Sequence, residues 1–286
     1  MFEVNGERIA LVTDTACDLS DEQLAASDIR TVPLRVNTSK GELRDRLEIT
    51  PEELYTIMES ELPKTSLPSP DDIAACYRQA VEDGADRILH LSISSGLSGT
   101  FNIANTIAAD FPEGLVTVLD TKTLSAGEGL LVLSAAESLR SGHTIAETAA
   151  GMERLRAGQL GCFVIPTLEY LRKGGRIGLV EGIVGNLLQI KPVIYVDDDG
   201  VYETLVKGRG FRKAVSAMNE QFFERYAGRR INLAIVHGGA YEEAVEMRKL
   251  YEERLDIANC FISPVSPALA THTGKGLLGA IAQDAV

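Results

Sequence analysis

Arg87-Ile-Leu-His-Leu-Ser-Ile-Ser-Ser-Gly-Leu-Ser-Gly-Thr-Phe-Asn-Ile-Ala-Asn-Thr-Ile-Ala-Ala109 is the stretch that decides the fold. Residues 87–93 are an apolar run of strand length, and residues 101–109 have the composition of a helix. Between them, residues 94–100 carry four hydroxyls and two glycines. A strand that enters a helix through such a loop is the building unit of an open α/β sheet. Ligands bind there beyond the carboxyl ends of the strands. A helix starting at this point aims free N–H groups and its positive end at the crevice, which suits an anion.

The same alternation extends outward. Upstream, Ile9–Asp14 is predicted to be a strand that runs into the polar loop Asp14–Asp18, and Ser20 with Gln23 forms a capping box that opens a short helix. Thr31–Val36 reads as a second strand, and its proline predicts an edge position. Thr50-Pro51-Glu52-Glu53 starts a helix to about Leu62. Pro63–Pro70 is predicted to be a stiff extended loop, after which Ser69 caps an amphipathic helix through Val81. Downstream, Leu115–Asp120 reads as a strand. The helix over about Ser125–Leu139 is apolar on all sides, which predicts burial. Thr144 with Glu147 opens one more helix, to about Ala157. Residues 1–158 therefore predict an N-terminal α/β/α domain with a parallel sheet.

Residues 159–286 differ in texture. Leu160–Ile165 is a strand, Thr167–Lys173 a short helix and Leu179–Ile190 a largely apolar helix. Pro192–Val196 and Val201–Lys207 flank Asp197-Asp198-Asp199-Gly200, a hairpin with an acidic turn. That turn lacks the ligand spacing of a calcium loop. A helix over about Phe211–Tyr226, a strand Ile231–His237, a helix over about Tyr241–Leu255 and a strand Cys260–Val265 follow. Residues 270–276 read as a glycine loop holding His272. This half predicts an α+β domain with a mixed sheet, so the fold class is α/β with a ligand between two domains.

Bulk composition narrows the function. The chain has 286 residues, 45% hydrophobic and 24% charged, and a net charge of −13. Without a basic run, that charge disfavours nucleic acid and stable association with anionic membranes. Cys17, Cys76, Cys162 and Cys260 form no C-x-x-C pair, so neither a zinc site nor a disulfide framework is predicted. Met1–Glu7 lacks a signal-peptide pattern, no apolar run reaches membrane-span length, and a cytoplasmic setting is expected.

Three standard motifs fail. Gly96-Leu-Ser-Gly99 places its second glycine one position too early for a nucleophile elbow. Gly274-Lys275-Gly276 lacks both the upstream glycine and the hydroxyl of a P-loop. No dinucleotide fingerprint follows the first strand. What remains are hydroxyl-rich strand ends at Asp14-Thr15, Thr65-Ser66, Ser94-Ser95 and Asp120-Thr121, with Arg172-Lys-Gly-Gly-Arg176 and His272 from the second half. Arginine suits a carboxylate or phosphate because its fork engages two oxygens. Asp14, Asp18 and Asp120 could act as bases or merely orient hydroxyls. His90 and His237, in a strand and at a strand end, read as structural, and His143 as a surface residue.

The chain also resembles the DegV-like proteins over essentially its whole length. The resemblance is carried by Val12-Thr-Asp-Thr-Ala-Cys-Asp-Leu19, Lys64-Thr-Ser-Leu-Pro-Ser69, Ile93-Ser-Ser-Gly-Leu-Ser-Gly-Thr100, Leu168-Glu-Tyr-Leu-Arg-Lys-Gly-Gly-Arg-Ile177 and Thr271-His-Thr-Gly274, in that order. It implies a lipid-binding protein with no catalytic residue, metal or cofactor. A long-chain fatty acid would have its carboxylate held by Thr65, Ser95, Arg176 and His272, with Ser66 and Ser94 beside them. It further implies presentation of the acid to a separate ATP-binding fatty acid kinase subunit, which makes an acyl phosphate for phospholipid synthesis. Leu67 stands where that family usually has glutamine, and Lys275 where it usually has proline. The residues by themselves leave two other readings open. One is a hydrolase or phosphotransferase using Ser95 and His272. The other is a binder of a small phosphorylated metabolite through the Arg172–Arg176 loop.

Overall fold

The computed structural model describes residues 1–178, 180 and 190–285. The first part of the chain runs β1 (Phe2–Val4), β2 (Glu7–Asp14), α1 (Asp21–Ala26), β3 (Ile29–Val32), β4 (Arg35–Thr38), β5 (Gly41–Arg44) and α2 (Pro51–Met58). It continues with β6 (Lys64–Ser66), α3 (Pro70–Glu82), β7 (Arg87–Ser92), α4 (Thr100–Ala108), β8 (Val116–Asp120), α5 (Ala126–Arg140) and α6 (Ile145–Gly158). The second part runs β9 (Leu160–Val164), α7 (Glu169–Lys173), β10 (Ile190–Val196), β11 (Tyr202–Arg209) and α8 (Phe211–Arg225). It ends with β12 (Arg230–His237), α9 (Tyr241–Arg254), β13 (Asp256–Pro264), α10 (Pro267–Thr273) and β14 (Leu278–Asp284). The apolar helix expected over 179–190 lies outside the described residues apart from Val180 and Ile190.

In the first sheet β3, β2, β7 and β8 are mutually parallel, as the alternation predicts, and β1 adds an antiparallel hairpin strand along the first half of β2. A six-stranded sheet, ordered β11-β10-β9-β14-β12-β13, holds the second part; only β12 and β13 pair in parallel, with α9 crossing between them. The mixed sheet is thus as predicted. Ser20, Thr50 and Thr144 form complete capping boxes with Gln23, Glu53 and Glu147. Ser69 caps α3 by accepting from Asp72 N at 3.1 Å.

Three expectations are corrected. Thr31–Val36 is not one strand. Pro33, with no N–H to give a ladder, marks where the chain leaves the parallel sheet after β3 and enters a small antiparallel sheet as β4. The next amide, Leu34 N, donates instead to Thr15 Oγ1 at 3.1 Å. The stiff 63–70 segment is partly a strand: β6 pairs with β4, Thr65 opposite Val36. The glycine loop around His272 is a helix, α10, and the next strand, β14, lies at the centre of the second sheet.

Helix α5 is buried along most of its length, with Leu130, Leu131, Val132, Ala135 and Ala136 enclosed. It packs against β2 and β7 on one side and β12 and β14 on the other, so it is the shared middle layer. One apolar cluster continues across the join, with Leu34, Leu54, Ile93 and Leu124 meeting Phe163, Leu171, Leu269 and Ile281. Among the described residues no helix is long and apolar enough to cross a membrane.

Candidate functional site

The strand ends of the parallel sheet converge, and carboxylates hold them. Asp14, closing β2, accepts from Ile93 N at 2.9 Å, Ala16 N at 3.1 Å and Ser92 Oγ at 3.3 Å. Asp120, closing β8, accepts from Ser95 N at 3.1 Å and Lys122 N at 3.0 Å. Burial works to raise the Asp120 carboxyl, but hydrogen bonds from Ser95 and Lys122 bring it below its ordinary value. These aspartates therefore orient loops. Ser95 is half-buried, and its Oγ accepts from Lys122 Nζ at 3.2 Å. Ser94 is fully buried and gives its one proton to Gly200 O at 2.7 Å, which ties the hydroxyl loop to the acidic hairpin turn. That turn is an ordinary one: Gly200 N donates to Asp197 O and Val201 N to Asp197 Oδ1, both at 3.0 Å.

The second group joins residues far apart in sequence. Thr65 on β6 lies 2.8 Å from His272 Nε2 on α10. The other ring nitrogen, Nδ1, is buried with no partner among the described residues. Burial, aided by the Arg176 guanidinium, pushes His272 down to about 4, so the imidazole is neutral at pH 7. The ring lies directly on Gly174, where a Cβ would stand 2.2 Å from Nδ1. A Cβ on Gly274 would likewise lie 2.5 Å from the Tyr170 ring. The glycines on both sides of this contact are therefore a packing requirement. Arg176 is half-buried, and its Nη1 donates to Gly174 O at 2.7 Å. Ser66 accepts from Asn37 Nδ2 at 3.0 Å and donates toward Glu42 at 3.3 Å, on the exposed side of the small sheet. Leu67 bridges the two groups: its Cδ1 would touch a Cβ on Gly99 at 3.3 Å.

Helix α10 is held from the other half of the molecule. Asp18 Oδ1 accepts from Ser266 N at 2.8 Å, and Asp45 Oδ1 accepts from Ala268 N at 2.9 Å. Carboxylates are favoured at a helix N-terminus because they satisfy orphan N–H groups. Ser125 Oγ donates to the second Asp18 oxygen at 2.5 Å. Asp18 read in sequence as a possible base and proves to be a clamp. Asp45 was not singled out, because Arg44-Asp45-Arg46 looks like surface charge.

Burial pushes Asp14 and Asp18 up to about 7 and Asp45 up to about 6. A carboxyl raised above its unfolded value, about 3.9 for Asp, binds its proton more tightly when folded. Its contribution is complete below that value and is lost as pH rises through 6 to 7. The melting temperature is therefore expected to fall between pH 5.5 and pH 8. Asp18→Asn, which mimics the protonated acid, should show a smaller fall. Equal falls in calorimetry would remove Asp18 from this account.

An apolar cavity of about 40 Å³, open in part to solvent, lies beside α10. Its walls include Phe163, Val236 and Ile281 of the second sheet, Leu269 and Thr273 of α10, and the Thr123–Ser125 loop. Thr273 is the neighbour of His272, so the cavity and the Thr65–His272 pair share one helix. Of the strand 163–165, Phe163 lines the cavity, while Val164 faces the opposite core with Met218 and Phe222. Alternation along a strand accounts for that.

These features define an α/β protein with a parallel sheet in its first part, a mixed sheet in its second, and an apolar cavity lined from both. A family model described as "Uncharacterised protein, DegV family" matches residues 8–284. A DegV domain-containing protein of Clostridium acetobutylicum is 35% identical over 276 residues, spanning 96% of this chain and 98% of its own. The chain belongs to the DegV family. Among solved structures, a fatty-acid-binding DegV family protein from Thermus thermophilus superposes with a TM-score of 0.91 at 38% identity, covering 97% of this chain and all of its own. DegV of Bacillus subtilis, a fatty acid binding protein, gives 0.89 at 26% identity, covering 98% of this chain and all of its own. A stearic acid-binding protein from Eubacterium ventriosum gives 0.86 at 28% identity, covering 99% and 98%.

Proposed function

We propose that this protein binds one long-chain fatty acid, its tail in the apolar cavity and its carboxylate at Thr65, Ser95 and Arg176. The observation that carries the reading is the single helix α10, which walls the cavity with Leu269 and Thr273 and bonds Thr65 through His272. Each buried methylene contributes about 0.8 kcal/mol, so ten supply about 8 kcal/mol before the costs of binding. The tail thus provides affinity and the polar end fixes orientation. The two binding units are 1–158 and 159–286, with α5 between their sheets. The proposed setting is the cytoplasm, where four free thiols persist.

In this reading His272 acts through Thr65. A neutral imidazole has one N–H. Placed on Nε2, it donates to Thr65 Oγ1 and leaves the threonine proton for the ligand. In the proposed site Ser95 sets the Lys122 ammonium, 3.2 Å from its Oγ, beside the carboxylate. Thr65→Val is expected to weaken oleate binding several-fold, as loss of one hydrogen bond does. His272→Ala should match it, and His272→Gln, which can still donate, should retain most of the affinity. Titration calorimetry checks this, and an unchanged Thr65→Val would remove Thr65 from the site.

The family resemblance supports a further step, presentation of the acid to an ATP-binding kinase subunit. Exposed Leu67, beside the hydroxyl loop, is then part of the rim that such a partner meets. A hydrolase using Ser95 and His272 is less favoured. Ser95 Oγ sits against an ammonium group and His272 Nε2 against Thr65, so no serine–histidine pair is assembled.

A further inference from the structure

Arg156, in the last turn of α6, is half-buried and spends its guanidinium on main-chain carbonyls. Its Nε donates to Lys122 O at 3.0 Å, and its Nη2 donates to Asp197 O at 2.5 Å and toward Val196 O at 3.4 Å. One side chain thus joins the loop after β8, in the first sheet, to the end of β10, in the second. Lys122 is where that hold matters. Its backbone lies in the left-handed region, at φ +54°, which a residue with a side chain adopts only at a cost. Such a conformation persists where its surroundings over-determine it, and it recurs at ligand clamps. Here the surroundings are the Asp120 carboxylate on the Lys122 N–H, Arg156 on the Lys122 carbonyl, and Gly200, where a Cβ would stand 3.1 Å from the Lys122 Cα. From that backbone the side chain reaches Asp120 Oδ2 at 3.0 Å and Ser95 Oγ at 3.2 Å. Lysine has a flexible four-carbon stem, and this one is 41% exposed, so the place of its Cα does much to aim the ammonium.

We infer that Arg156 is a positioning residue of the fatty acid site: by holding the Lys122 carbonyl against the end of β10, it keeps the Lys122 ammonium beside Ser95, where the carboxylate binds. The inference rests on the fatty acid reading above. It adds a residue 34 positions from Lys122 that no sequence motif marks.

Arg156→Met tests it, because the change removes the fork and keeps an unbranched stem. Oleate and oleyl alcohol are titrated into delipidated wild type, Arg156→Met, Lys122→Met and the double variant. Each single variant is expected to bind oleate about fivefold more weakly, and the double variant no more weakly than Lys122→Met alone, because Arg156 acts through Lys122. Oleyl alcohol, with the same chain and no carboxylate, should bind all four proteins alike. Arg156→Lys, which keeps the charge without the fork, should recover only part of the loss, and it carries the same cycle if Arg156→Met does not fold. Unchanged oleate affinity in either single variant would overturn the inference. So would losses that multiply in the double variant, or an equal loss for oleyl alcohol, since either would make Arg156 a general support of the fold. Failure of the wild type to bind either ligand would overturn the fatty acid reading itself, a result distinct from these.

Discussion

Arg176→Ala is expected to weaken oleate binding at pH 7.5 by roughly ten- to a hundredfold, the loss typical of a charge-assisted hydrogen bond. In the proposed site Arg176 is the cation that meets the ligand. Lys122, a cation beside Ser95, already pairs with Asp120 at 3.0 Å. His272 is neutral at pH 7, so it cannot supply charge. Arg176→Lys should recover part of the loss by restoring the charge without the planar fork. Oleyl alcohol binding should hardly change in either variant. An Arg176→Ala protein that holds oleate as tightly as the wild type would place the carboxylate elsewhere.

Gly174→Ala is expected to displace His272 and weaken oleate binding by a comparable factor. The backbone at Gly174 lies in the right-handed helical region, with φ −78° and ψ −7°, so alanine is not opposed by conformation. The opposition is steric: the new Cβ meets Nδ1 at 2.2 Å, Cε1 at 2.8 Å and the Tyr170 carbonyl at 3.0 Å. Overpacking of this kind costs about 1–3 kcal/mol. Adding His272→Ala removes the ring that is struck. Stability should then recover in the double variant while oleate affinity stays low. Recovery of both would mean that His272 has no part in binding, and recovery of neither would mean that the Tyr170 carbonyl dominates the clash.

Local signals were legible in the sequence. Three capping boxes and the Ser69 cap act over a few residues, and each appears where its spacing predicts. Alternation of strand and helix likewise led to the parallel sheet. Signals that depend on remote partners were not legible. Pro33 reads equally well as an edge proline or a change of sheet, and only pairing of β4 with β5 and β6 decides between them. Residues 278–284 show no clear alternation, because β14 is buried between two neighbouring strands. Thr65 and His272 stand 207 positions apart, and only their family motifs linked them in advance. Asp45 belongs to no motif, and its role comes from the helix end that the fold sets against it.

The central claim is that the cavity beside α10 holds a fatty acid. The most direct measurement is mass spectrometry of lipid extracted from the denatured protein after mild purification from bacteria. The account predicts a long-chain fatty acid in near-equimolar amount, sharply reduced in Arg176→Ala. Protein that carries no fatty acid, and that takes up none when oleate is added, would contradict it.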